Sequence, residues 1–366
     1  MGRWSTERGV TAPLAAATLL AIFAAGTLSV DAGNLWQNRR NLITSTDSAV
    51  LTEAKYLAFS PGSSTCSGDW QTMLDNNAGT DWYAETGEGC IVHSSGNTGY
   101  VTVDAHQPSA SFFSGVLGIG DGAVYSLSAA QWGHVLAGKG LRPMGHCWEN
   151  HHIQEWLDYQ SGDRSESAYN GLRGSSEDHP ALSGSTGVLH KIYFTKDSPD
   201  HCGAEAPGNW GWMDFDGGSN SNKDTQNWVH GGYDGSVAVG DCYADGSNQP
   251  CDGDTGSSGG STSQELDYLI DNAITFHVPI FGDVTGKGGS NADFEIKGFL
   301  GVRLWDYQNT GTNEQRYFTY EFLELLIDGP CCGASPVGGV DTGVRGIRLC
   351  AVDHDSQSLS DRCAIS

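Results

Sequence analysis

Two Asp-Thr-Gly triplets, Asp254-Thr255-Gly256 and Asp341-Thr342-Gly343, are the sharpest catalytic pattern in this sequence. Paired triplets serve aspartic proteolysis, where two carboxylates share one proton because like charges so close cannot both ionise. Each aspartate must then end a buried strand, after apolar residues. Here Asp254 follows Cys251-Asp252-Gly253 and Asp341 follows Gly338-Gly339-Val340, so both triplets read as loop turns. A second cluster, His146-Cys147-Trp148-Glu149-Asn150-His151-His152, packs metal-ligating types into seven residues. A helical site wants two imidazoles at i and i+4; His146 and His151 are five apart, so a surface or supporting role is expected. The oxygen-rich run Asp214-Phe215-Asp216-Gly217-Gly218-Ser219-Asn220 with Asp224 departs from a calcium loop at Gly218, and its default is a solvated turn. No serine elbow, phosphate loop or nucleotide fingerprint occurs. The residues therefore assign no catalytic, cofactor-binding or metal-ligating position, and no cofactor is expected.

The ten cysteines are Cys66, Cys90, Cys147, Cys202, Cys242, Cys251, Cys331, Cys332, Cys350 and Cys363. An even number without any CxxC spacing fits disulfides in an oxidising compartment better than zinc. The neighbours Cys331 and Cys332 are expected to bond two different partners. The formal charge of −25 argues against nucleic acid, which wants a basic stripe. Fifty-one glycines point to a turn-rich, mainly β domain.

What must present all this lies at the start of the chain. Val10 to Val30 carries no charge and is apolar or small throughout, including Leu14, Leu19, Leu20, Ile22, Phe23 and Leu28. Twenty-one helical residues span about 31 Å, enough to cross a bilayer core. Arg3 and Arg8 precede the run and place the N-terminus in the cytoplasm, with the cysteine-bearing bulk outside. A cleaved secretory signal is the competing reading, although its best small-residue site, Ala24-Ala25-Gly26, lies inside the run. A pilin-type leader would carry Glu five residues after Gly9, where Leu14 stands. Residues 34–59 contain neither Gly nor Pro, so the helix is expected to continue as a stem. Its apolar pairs Leu35/Trp36, Leu42/Ile43, Ala49/Val50 and Tyr56/Leu57 recur every seven residues. Polar Arg39, Thr46 and Glu53 fall between them, leaving a narrow seam for either the chain's own domain or another subunit.

Beyond Ser60-Pro61-Gly62, which ends the helix, strands are predicted at Tyr100–Ala105 and Ala123–Ala130, with a short apolar piece at Phe112–Ile119. Residues 202–262 are rich in Gly, Ser, Asn and Asp and read as long loops pinned by cysteines. Thr262-Ser263-Gln264-Glu265 has capping-box form, and Leu266, Leu269, Ile270 and Ala273 keep helical spacing. Ile274–Ile280 alternates as a strand that Pro279 ends or confines to an edge, with an antiparallel partner at Phe294–Phe299. The fold class is α+β: a single transmembrane helix (about 10–30) and stem within 1–60, then a disulfide-stapled extracytoplasmic domain over 61–366.

Glu7-Arg8-Gly9, the apolar helix, Val30-Asp31-Ala32-Gly33-Asn34-Leu35-Trp36 and Arg39-Arg40-Asn41-Leu42 together resemble the N-terminal region of the TadE/TadG-like Flp (tight-adherence) pilus-assembly proteins. The likeness extends over residues 5–135, with shorter matching blocks at 140–144, 207–214, 276–281 and 294–304. It implies a non-enzymatic, single-pass component of a pilus-assembly or secretion system. Its expected partners are the lipid bilayer and other pilus-assembly membrane proteins or pilin helices. The von Willebrand-type metal site of some relatives is not matched, because Asp234-Gly235-Ser236-Val237-Ala238 lacks its last Ser. A surface module that binds glycans through tryptophan-rich loops is the alternative, and a hydrolase comes third.

Overall fold

Thr11–Ala58 forms one unbroken 48-residue helix, α1, in the computed structural model of the chain. At 1.5 Å per residue it is about 72 Å long. The structure describes residues 11–60, 62–84, 89–95, 97–109, 122–194, 202, 212–217, 222–240, 252–253, 260–285, 293–312, 315–333, 341–352 and 363. Val10 and the Phe112–Ile119 piece lie outside them.

After α1 come α2 (Asp69–Ala78), β1 (Cys90–Ser95), β2 (Thr98–Ser109), β3 (Gly122–Val135), β4 (Ala137–Gly138) and β5 (His146–Cys147). Next are α3 (His151–Ser161), α4 (Glu166–Asn170), β6 (Leu189–Tyr193), β7 (Met213–Asp214), α5 (Asn222–Gly231), β8 (Val237–Ala238) and β9 (Asp252–Gly253). The chain closes with α6 (Gly260–Asp271), β10 (Thr275–Thr285), β11 (Asp293–Gln308), β12 (Tyr317–Leu323), β13 (Leu325–Leu326), β14 (Cys331–Gly333) and β15 (Val344–Val352). The architecture is α+β: a long apolar N-terminal helix followed by a mainly β body.

The first sheet runs β1-β2-β3-β15-β13, with β14 also on β3. Its face is covered by the second half of α1, where Leu42, Ala49, Val50, Ala54, Leu57 and Ala58 pack with Val101, Val103, Val124, Ala130 and Trp132. Small side chains on β3 let the helix approach. Thr46 is fully buried there, its hydroxyl 2.6 Å from Ser126 Oγ and 3.0 Å from Ser128 Oγ. Glu53 is also buried, and its carboxylate accepts from Ser67 N (2.7 Å) and Ser67 Oγ (2.8 Å) just ahead of α2. Two of the three polar positions, Thr46 and Glu53, therefore point inward with hydrogen-bond partners and widen the seam there, while Arg39 is half-buried. Leu35, Trp36 and Tyr56 of the seven-residue recurrence are exposed, because a straight 3.6-residue helix drifts off a strict seven-residue stripe.

The second sheet runs β5-β10-β11-β12-β6, with β9 on β11 and β7 on β9. Its core joins Phe276, Val278, Ile280, Val302, Phe318 and Phe322 to Ile153 and Trp156 of α3 and to Leu266 and Leu269 of α6. Ala273 lies past the end of α6 at a positive φ of 52° and does not share the packed stripe. Pro279 sits inside β10, paired with Phe299. Its missing N–H is tolerated because β5 pairs only from Ile280 onward. A third cluster joins the sheets through Val135, Ile327 and Val344 against Phe281, Phe294 and Phe299. The Cys202–Thr262 stretch is not loop alone: α5 lies within it, and Trp212, Met213, Phe215, Val229 and Val237 are buried. Its apolar residues are sparse but converge on the sheets from separate turns, so local composition understates them.

Disulfides join Cys66 to Cys90, Cys147 to Cys202 and Cys350 to Cys363. Cys331 and Cys332 bond each other, against the expectation of separate partners. Both are buried on β14, and the other described cysteines are taken up in their own bridges. Cys242 and Cys251 lie outside the described residues.

Leu42→Ala is expected to destabilise the chain by about 2–5 kcal/mol. Thr46→Val, which leaves the Ser126 and Ser128 hydroxyls facing an apolar group, should cost about 1–3 kcal/mol. Denaturant unfolding of the full chain in detergent measures both, and wild-type midpoints would refute the sealed seam.

Candidate metal centre

Asn150 caps α3 by accepting from His152 N at 3.0 Å. The cap sets the helix phase so that His152 and Glu155, at i and i+3, share one face. Three residues later than His152 the carboxylate meets two more imidazoles. His179 comes from the turn-rich segment after α4, where Gly174 N donates to His179 O and Lys191 N to Asp178 O. His190 comes from β6, paired with Tyr320 of β12 and stacked on Phe322 at 4.4 Å.

The four side chains converge. His179 Nε2 is 2.8 Å from Glu155 Oε2, and His152 Nδ1 and His190 Nδ1 approach the same oxygen at 3.7 and 3.8 Å. His190 Nδ1 is 3.5 Å from His152 Nδ1. All four donor atoms lie within 4.8 Å of one another, an arrangement able to hold one metal ion. His190 Nε2 is 2.8 Å from Tyr169 Oη, and His179 Nδ1 is 3.3 Å from Ser176 Oγ.

Burial sets the charge state. It pushes the His190 imidazole well below its usual range, reinforced by the neighbouring His152 and His179. His152 is lowered by burial too, with Glu155 opposing. Burial alone would raise the Glu155 carboxyl, but the adjoining His152 imidazole and the hydrogen-bonded His179 outweigh it and hold the group well below the carboxylate range. Tyr169 is pushed up by burial and by the Glu155 charge, and keeps its proton. Glu155 is thus an ionised carboxylate beside the buried His152 and His190, whose imidazoles resist protonation.

The sequence cluster 146–152 contributes only its last member. His151 is exposed beside it, and His146 instead faces Tyr320 Oη at 3.2 Å. His179 and His190 carried no local pattern; the one readable signal was His152-x-x-Glu155 just after a capping Asn. A second group, Cys147, Glu149 and Cys202, offers no thiolate because its cysteines form a disulfide.

The described parts of the remaining motifs form tight turns. Asp341 accepts from Arg345 Nη1 (2.5 Å) and Nη2 (2.7 Å), from Asn97 Nδ2 (2.8 Å) and from Gly343 N (3.0 Å). Gly343 takes φ of +75°, and a Cβ there would meet Gln160 and Trp156 at 2.9 to 3.1 Å, so the triplet is a tight turn. Asp254 lies outside the described residues. Asp214 Oδ1 accepts from Asp216 N, and Gly218–Asn220 are not described. Among the described tryptophans only Trp36 is exposed, while Trp82, Trp148, Trp228 and Trp305 are half-buried and Trp70, Trp132, Trp156 and Trp212 are core.

The described part of the transmembrane stretch is bare. Leu14, Leu19, Leu20, Ile22, Phe23, Leu28 and Val30 are all exposed, Leu20 and Phe23 at 71% and 67%. Among the described residues one helix is long and apolar enough to cross a membrane, and it is this one. The chain matches no family model, no curated protein and no solved structure.

The Asp341–Arg345 pair has a pH consequence through His134, which faces Arg345 across β3 and β15. Burial and then the Arg345 charge lower His134 to about 4. The unfolded chain binds that proton near pH 6.5. Between 6.5 and about 4 it therefore holds more protons than the folded chain, and stability falls as pH falls. Burial would raise Asp341, but the Arg345 bonds dominate and lower it. Its contribution is present above the unfolded value of about 3.9 and is lost only as pH drops further. His134→Gln should flatten the stability profile between pH 6.5 and 4, whereas Asp341→Asn should lower it by about 3–5 kcal/mol across that range. Unfolding midpoints recorded against pH check both.

Proposed function

We propose that this protein is a non-enzymatic, single-pass membrane component of an Flp/Tad-type pilus-assembly or secretion system. Its N-terminus lies in the cytoplasm and its disulfide-bonded bulk outside the membrane. The observation that carries this reading is the change of environment along one unbroken helix. The first half of α1 is apolar and bare, and the second half is built into the first sheet. A bare apolar segment of that length needs a bilayer or sibling helices around it. The absence of any break in α1 ties the sheet rigidly to the membrane segment, as a subunit that transmits position or force requires.

The four disulfides among the described residues, all beyond the apolar segment, support an oxidising exterior for the cysteine-bearing part of the chain. The order Glu7-Arg8-Gly9, apolar helix, Val30-Asp31, Arg39-Arg40 supports the tight-adherence assignment. A non-catalytic role fits the conversion of the Asp341 triplet into an arginine-clamped turn.

In the full chain, Leu20→Asp with Phe23→Asp should abolish membrane retention, since each carboxylate adds about 2.5–3.5 kcal/mol to insertion. Fractionation reads the result, and an unchanged membrane pool would sink the anchor. A photo-crosslinking residue in place of Phe23 separates the assembly role from plain anchoring. Adducts with a second membrane helix support assembly, and adducts with lipid alone refute it. Protease added outside intact cells should digest the chain beyond residue 60; protection would reverse the orientation.

A further inference from the structure

We propose that His152, Glu155, His179 and His190 bind one zinc ion through four protein atoms, as a closed structural site that fastens α3 to the segment carrying His179 and to β6. The donors are His152 Nδ1, His179 Nε2, His190 Nδ1 and Glu155 Oε2. Zinc binds such nitrogen and oxygen atoms at about 2.0–2.2 Å, so the corners of its tetrahedron stand roughly 3.3–3.6 Å apart. Four of the six donor separations, 2.8, 3.5, 3.7 and 3.8 Å, bracket that edge. The other two, from His179 to His152 and to His190, lie within 4.8 Å, and side-chain rotation about the centre would draw them in.

The donor chemistry agrees. Three imidazoles and one carboxylate are ordinary zinc ligands, and their donor atoms converge here. Imidazole nitrogen in a tetrahedral set selects zinc over calcium or magnesium, which want oxygen. Every described cysteine is in a disulfide, so thiolate ligands are not on offer and histidine takes their place. The ring nitrogens turned away from the site have fixed partners. With the metal bound, His190 Nε2–H donates to Tyr169 Oη and His179 Nδ1–H to Ser176 Oγ, which orients both rings.

A metal-free hydrogen-bond network accounts for less. Three imidazole nitrogens crowd one carboxylate oxygen, but only His179 lies within hydrogen-bond distance. His152 and His190 turn their Nδ1 atoms toward each other at 3.5 Å, beyond a good hydrogen bond. His152 and His190 are 1% and 0% exposed, so bulk water does not reach them. An ion at the centre satisfies all four donors at once. Nothing in this depends on the pilus-assembly reading.

The test uses the full-length chain with its disulfides intact, purified in detergent, stripped by chelator and dialysed against zinc. Elemental analysis should return about one zinc per chain, as a four-ligand site requires. Zinc should raise the melting temperature of the stripped protein, because it binds the folded state preferentially. Cobalt in its place should give the strong visible bands of a tetrahedral centre. His179→Gln and Glu155→Gln should each weaken zinc at least tenfold, and Tyr169→Phe by about 10–100-fold, with unchanged near-ultraviolet circular dichroism. Zinc content near zero, a weak octahedral cobalt spectrum, or wild-type affinity in His179→Gln and Glu155→Gln would each overturn the proposal. Preferential retention of iron or manganese over zinc would overturn the choice of metal. If a variant fails to fold, the cobalt spectrum and the zinc-dependent melting temperature of the wild-type chain still decide.

Discussion

The docking of the second half of α1 onto β3 is the constraint on which the first sheet depends. Leu42, Ala49, Val50, Ala54 and Leu57 supply its apolar cover. Between them Thr46 inserts a hydroxyl into the pair Ser126 and Ser128, and Glu53 holds the chain ahead of α2. A misplaced helix would strand those buried polar groups, so they fix its rotation as well as its depth. The same helix is bare at its other end. A single rigid element is therefore core of the body and a membrane-length apolar rod.

The second sheet is organised differently. Helices α3 and α6 close over it, and the segment from α4 to β6 carries turns rather than regular structure. Such a segment has few ladder bonds to hold it. It is fastened instead by polar contacts: Arg173 to Ser185 O, Tyr169 to His190, and His179 to Glu155. The zinc proposed for the histidine centre would add a point of closure where hydrogen-bonded strands are missing. Disulfides do comparable work elsewhere, at Cys66–Cys90 and Cys147–Cys202.

Much of the fold was legible in the residues. The long helix, the strands near Tyr100, Ala123 and Phe294, and the helix at Leu266 all follow from short-range periodicity, which side-chain alternation imposes directly. Pairing of neighbouring cysteines was misread, because partner choice depends on which thiols remain within reach after folding. The metal-type cluster around His146 pointed to the right helix, but of its residues only His152 joins the centre. Its partners His179 and His190 stand 24 and 35 positions beyond Glu155, and no local spacing links them.

By itself the sequence determined an apolar stretch long enough for a bilayer, its continuation without a helix breaker, and the α+β class. These are properties of consecutive residues. Only the tertiary structure decided that Thr46 and Glu53 face inward, that Asp341 is clamped by Arg345, and that three histidines meet one glutamate. Those outcomes depend on strands and turns far apart in the chain arriving at one place, where burial removes water and leaves polar groups only one another. The helix from Thr11 to Ala58 carries both kinds of information: its length and apolarity are local, and its division into a bare half and a buried half is not.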